Sequence, residues 1–151
     1  MGLAHWFFGN LYEEIVLAPN MLANSYQQLQ CWQGYFTVTN QIYYYVPFTQ
    51  LAVLLTGYLY FRNRQQPVRR YLLKASLFGT AAIGLTALIV TQLNLKLFFG
   101  DLSEYRNELY TLSVYWLIGN AIRILLVGTA LVHTFSAFLT FHSERHPGGL
   151  Q

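Results

Sequence analysis

Apolar residues in this chain run in long blocks separated by short polar stretches. From Gln41 to Phe61 (QIYYYVPFTQLAVLLTGYLYF) and from Ala75 to Leu95 (ASLFGTAAIGLTALIVTQLNL) no formal charge interrupts the run. A helix needs about 20 such residues to cross the hydrocarbon core of a bilayer. A third block, Thr111 to Leu139, has the same character but contains Arg123. The opening block, from about Leu3 to Pro19, is shorter and carries two adjacent carboxylates, Glu13 and Glu14. The pattern predicts an all-α integral membrane four-helix bundle: a single transmembrane domain over 1–151 with spans near 3–20, 41–61, 73–96 and 111–140. For the opening block the alternative is an amphipathic helix lying in the interface. It lacks the basic start and small-residue cleavage site of a signal peptide.

Composition supports a lipid solvent. Of 151 residues 54% are hydrophobic and only 10% charged, against roughly a quarter charged in soluble domains. Charge asymmetry then orients the bundle. RNRQQPVRRYLLK holds Arg62, Arg64, Arg69, Arg70 and Lys74, whereas GDLSEYRNELY holds Asp101, Glu104 and Glu108 against Arg106. Basic short loops stay cytoplasmic, which predicts a multi-pass protein of the inner (cytoplasmic) membrane with both termini cytoplasmic. One basic loop facing an anionic leaflet is no nucleic-acid-binding stripe, so lipid is the expected partner and nucleic acid is not. Met21 to Asn40, rich in Gln and aromatics, becomes a short outer interfacial segment between helices 1 and 2. It is either a connector or a lid over a site. Cys31 is the only cysteine, so the helices are held by packing and polar contacts. Ala75, Gly79, Gly84, Gly119 and Gly128 are small residues suited to close helix approach, and Pro47 frees a carbonyl in helix 2.

The polar residues inside these blocks carry the candidate chemistry. Arg123 stands about twelve residues into helix 4, roughly 18 Å deep, and Glu13 and Glu14 reach a similar level on helix 1. An unpaired charge at such depth costs at least a few kcal/mol, so pairing across helices 1 and 4 is expected. Trp116, Asn120 and Arg123 fall at i, i+4 and i+7, and Asn10 lies one turn from either carboxylate. Helix 3 ends in TQLNLK, with Gln92 on one face and Asn94 on another, and Tyr12, Asn40 and Tyr43 add polar groups toward the outer half. The sum predicts an outward-opening polar cavity with Glu13, Glu14 and Arg123 as its reactive groups and Asn10, Tyr12, Asn40, Tyr43, Gln92, Asn94, Trp116 and Asn120 as its binding residues. A sealed network that only fixes helix register is the competing reading.

GNLYEEIVLAPN, TQLNLKLF and YWLIGNAIR, the last with a W-x-x-x-N-x-x-R core, together resemble the four-span membrane family of unknown function that includes the anthrone oxygenase-like proteins. The resemblance spans most of the chain, and Asn94, Trp116, Asn120 and Arg123 match its motif positions. It implies a membrane bundle that oxidises lipophilic polycyclic anthrones with oxygen and no cofactor. The doubled Glu13–Glu14 and the long outer segment depart from the fungal branch. In such an enzyme one glutamate serves as base, the other is clamped by Arg123, and cationic or amide donors stabilise the enolate. A non-enzymatic scaffold or a lipid- or ligand-binding subunit is the alternative, and a haem or quinone redox protein a further one. Two glutamates without a Glu-x-x-His pair fall short of a di-iron site, so no metal is expected. Haem ligation falls to His5 and His133, with His142 and His146 as rivals. A homo-oligomer is compatible with the pattern.

Overall fold

In a computed structural model that describes residues 1–145, every regular element is a helix. The chain opens with α1 (Gly2–Tyr12), passes through a π-helical turn (Glu13–Leu17) and continues as α2 (Ala18–Ala23). Tyr12, Glu13 and Ala18 all keep right-handed helical angles, so this is one helix with a widened turn. Pro19 supplies the local cause: it has no N–H to offer and its ring crowds the carbonyl four residues back. The N–H of Ala18 reaches five residues back, to the carbonyl of Glu13. Asn24, at φ −154° and ψ 81°, breaks the helix, and α3 (Ser25–Tyr35) follows. α4 (Gln41–Arg62) is capped by Asn40, whose Oδ1 accepts from Ile42 N at 3.0 Å and Tyr43 N at 3.3 Å. It runs unbroken through Pro47. α5 (Gln66–Ile89) continues as a π-helical segment, Val90–Phe99, and α6 (Leu109–Arg145) completes the chain.

Two boundaries differ from the sequence reading. The third helix begins at Gln66 instead of near residue 73, because Pro67 is preorganised for a first helical turn. Arg69, Arg70 and Lys74 therefore ride on α5, and the connecting loop shrinks to 63–65. The last helix runs past residue 140 to Arg145.

α1, α4, α5 and α6 form a closed ring in which each packs on its two ring neighbours, most extensively α5 on α6. All four neighbours are antiparallel, as the contacts across them record. Gly2 meets Ala52 while Gly9 meets Tyr45; Val53 meets Gly79 while Tyr60 meets Arg69. Each interface holds a closely packed glycine: Gly9 under the Tyr45 ring, Gly79 under Val53, Gly119 under Ile89 and Gly128 under Phe7. A Cβ at these positions would lie 2.6, 3.0, 3.1 and 3.0 Å from its neighbour. Gly84, expected to pack, faces open space. Small residues matter here because they let the helix backbones approach closely enough for direct van der Waals contact.

The outside of the bundle carries many large apolar side chains, and several polar ones are buried among its apolar core. Leu51, Leu54 and Leu55 on α4, Leu77 and Leu88 on α5, and Ile118, Leu125 and Phe135 on α6 are exposed. Asn10, Glu13, Thr49, Asn94, Asn120 and Arg123 are buried. Two stretches, Gln66–Phe99 and Leu109–Ser143, are long and apolar enough to cross a membrane, and only 22% and 17% of their most apolar windows are buried. The first helix and α4 fall short on this measure. Glu13 and Glu14 interrupt one, and Tyr43, Tyr44, Tyr45, Tyr58, Tyr60 and Gln50 dilute the other.

Gly79→Leu is expected to destabilise the protein by about 1–3 kcal/mol through overpacking against Val53. Gly84→Leu, which meets nothing, should leave detergent melting unchanged or raised. Equal melting of the two variants would show that the α4–α5 contact does not depend on that close approach.

Candidate functional site

Three buried side chains, Glu13, Asn120 and Arg123, and the half-buried Glu14 meet where the first helix faces α6. The Arg123 Nη2 lies 3.3 Å from Glu13 Oε2, with both residues under a tenth exposed. It also donates to Asn120 Oδ1 at 2.6 Å, and Arg123 Nε donates to the same oxygen at 3.2 Å. Asn120 Nδ2 donates in turn to Glu14 Oε2 at 2.7 Å and to the Asn10 carbonyl at 3.2 Å. Asn120 is wholly buried and engaged at both ends of its amide, so it is the hub that joins both carboxylates to the guanidinium. The cluster holds two carboxylates against one cation. The π turn at Glu13–Leu17 begins at the first of the paired acids, in keeping with the tendency of π-bulges to sit at functional positions.

Beside the cluster lies a cavity of about 110 Å³, bounded by α1, α4, α5 and α6 and roofed by α3. Glu13, Arg123 and Asn10 line its floor. The amide Nδ2 of Asn10 is buried with no hydrogen-bond partner. Trp116 forms a wall, fixed by its Nε1 donating to Asn94 Oδ1 at 2.8 Å. An aromatic column climbs from it to the roof: Trp116 to Phe98 at 5.9 Å, Phe98 to Trp32 at 5.3 Å, and Trp32 to Phe36 at 5.0 Å between ring centroids. Gln33 fastens the roof, its Nε2 donating to the carbonyls of Gly100 at 3.1 Å and Leu97 at 3.4 Å. These belong to the helix end, whose last carbonyls otherwise lack partners.

Of the residues expected to form the site, Asn10, Glu13, Asn40, Asn94, Trp116 and Arg123 line this cavity. Asn40 does so while capping α4. The others do not. Glu14 is on the far side of Asn120, so the carboxylate facing the cavity is the one clamped by Arg123. Asn120 is consumed by the network and is absent from the wall. Tyr12, Tyr43 and Gln92 are exposed on the outside, where hydroxyl- or amide-tipped side chains are tolerated at a membrane boundary. Trp6, Trp32, Gln33, Tyr45, Thr49 and Thr86 complete the cavity and were not foreseen. Trp6, Asn10 and Glu13 repeat the i, i+4, i+7 spacing of Trp116, Asn120 and Arg123, and that signal points to Trp6 from sequence.

The histidines considered for haem are held by different helices. His5 packs against Tyr44, Tyr45 and Phe48 of α4, and His133 lies between Tyr71 and Phe78 of α5. His142 stacks on Phe138, and His146 lies outside the described residues. Among the described residues no group of three or more His, Cys, Asp or Glu side chains is placed to hold a metal ion. No protein-family model, curated protein or solved structure matches the chain.

Arg123→Ala removes the cation and strands two carboxylates, and is expected to destabilise by about 3–5 kcal/mol. The pair Glu13→Gln with Arg123→Met leaves only the half-buried Glu14 charged and should melt above Arg123→Ala in detergent. Strict additivity of the single and double changes would mean that Glu13 and Arg123 are not coupled.

Proposed function

We propose that this chain is a four-span membrane protein whose interior cavity binds a lipophilic aromatic molecule and removes a proton from it. Four spans are supported by the apolar faces exposed on all four ring helices, including Phe8 and Ile15 on the first helix and Leu54 and Leu55 on α4. Contiguous exposed apolar surface on this scale marks lipid contact. The basic end of the bundle, Arg62 to Arg70, lies with the C-terminal end of α6, which supports cytoplasmic termini under the positive-inside rule.

The observation that carries the chemical reading is the cavity floor: a carboxylate, a guanidinium and an unpartnered amide donor beneath tryptophan walls. Glu13 accepts the proton. The anion left on the substrate is balanced by Arg123, whose Nη1 takes no part in the bonds to Glu13 and Asn120. Donors fixed in advance in a water-poor site stabilise such an anion without reorganisation. The resemblance to the anthrone oxygenase-like family extends this to reaction of the carbanion with oxygen, with no cofactor. The register-lock reading draws on Asn120, which is sealed and serves the network alone.

Oxygen consumption by the protein in lipid nanodiscs with an aromatic substrate separates the two readings. A general base contributes about 10²–10⁴-fold, so Glu13→Gln should lose at least about a hundredfold in rate while Glu14→Gln, outside the cavity, retains most of it. Equal loss in both variants, tracking a fall in melting temperature, would favour the register lock.

A further inference from the structure

The floor and walls of the cavity narrow the chemistry of what binds there. Glu13 offers an acceptor; Asn10 offers a buried amide donor that nothing in the protein satisfies. A buried donor without a partner is costly, so a ligand that supplies its acceptor is stabilised there. Two neighbouring amides are already engaged: Asn94 by Trp116, and Asn120 by Glu14, Arg123 and the Asn10 carbonyl. A group facing both Glu13 and Asn10 must therefore donate and accept at one place. A quinone carbonyl only accepts and an ammonium only donates. A carboxylate would add a third negative charge to a cluster with one cation. A neutral hydroxyl meets both demands, since it carries one donor and two acceptor lone pairs.

The walls settle the rest of the molecule. All three tryptophans of the chain, Trp6, Trp32 and Trp116, line the cavity together with Phe98, and Trp116 is locked in orientation by Asn94. Such walls select a flat ring by offset or edge-to-face stacking. A volume of about 110 Å³ is below the roughly 150 Å³ cavity that takes up benzene, so a single ring suits it better than three fused rings. Building on the reading of this cavity as a ligand site, we propose that its ligand is a single-ring phenol. Its hydroxyl donates to Glu13 and accepts from Asn10, and its ring stacks among the tryptophans beneath α3.

The tryptophans report occupancy directly. With the chain in nanodiscs, p-cresol should quench tryptophan fluorescence saturably, and its methyl ether, which keeps the ring and loses the donor, should bind at least tenfold more weakly. Asn10→Leu should lose that preference. Thr86→Leu, whose threonine bonds only its own helix through Ala82 O at 2.8 Å, fills the cavity from α5 and should abolish saturable quenching even if Asn10→Leu fails to fold. Equal binding of p-cresol and its ether would overturn the hydroxyl assignment. Saturable binding of dithranol, a three-ring anthrone, with none of p-cresol would overturn the one-ring assignment and leave the cavity as a ligand site. Saturable quenching by neither compound, in protein with an intact melting transition, would overturn both.

Discussion

A guanidinium held in a low-dielectric interior dictates the rest of this structure. Arg123 cannot be buried alone, because an uncompensated charge among helices costs several kcal/mol. It takes Glu13 from the facing helix, and Asn120 takes up its remaining reach on its own helix. That commitment fixes the register of α1 against α6. With that register fixed, Gly128 comes under Phe7, and α1 presents Gly9 to the Tyr45 ring of α4. The polar centre and the close-packed seams are consequences of one another. The polar groups are satisfied across helices that approach closely, and the helices approach closely because glycines stand beside the bulky rings.

The same arrangement separates structure from chemistry within one cluster. Asn120 and Glu14 complete the network away from the cavity, while Glu13, Arg123 and Asn10 face it. Two carboxylates side by side in sequence point in different directions because successive residues of a helix are about 100° apart, and the π turn that starts at Glu13 widens the helix there. A sealed lock would need one carboxylate for one arginine. The unpartnered amide and the tryptophan walls exceed what a lock requires, and both lie at the cavity.

The parts legible in sequence were those where a residue contradicts its surroundings. Arg123, Glu13 and Asn94 stand out in apolar blocks, so their burial and the α1–α6 pairing follow from the expense of leaving them unpaired in apolar surroundings. Residues that fit both lipid and interior were not separable. Tyr45 faces the cavity while Tyr43 and Tyr44 are exposed, and Thr49 and Thr86 look like any threonine that bonds back to its own helix. The roof was ambiguous for a different reason. α3 is held by Gln33 reaching helix-end carbonyls more than sixty residues away, and no local pattern encodes a contact of that range. Asn120 lies in the network and not on the cavity wall, because spacing places a side chain on a face without saying where its hydrogen bonds go.

The central claim is that the buried Glu13–Arg123 cluster serves a ligand as well as the fold. The most direct measurement is a crystal structure of the protein grown in lipid with p-bromophenol, using the anomalous signal of bromine to locate the ring. The account predicts a bromine peak among Trp32, Phe98 and Trp116, with the phenol oxygen within hydrogen-bond distance of both Glu13 and Asn10. Bromine found only along the outer faces of the helices, with the cavity floor unchanged, would contradict it.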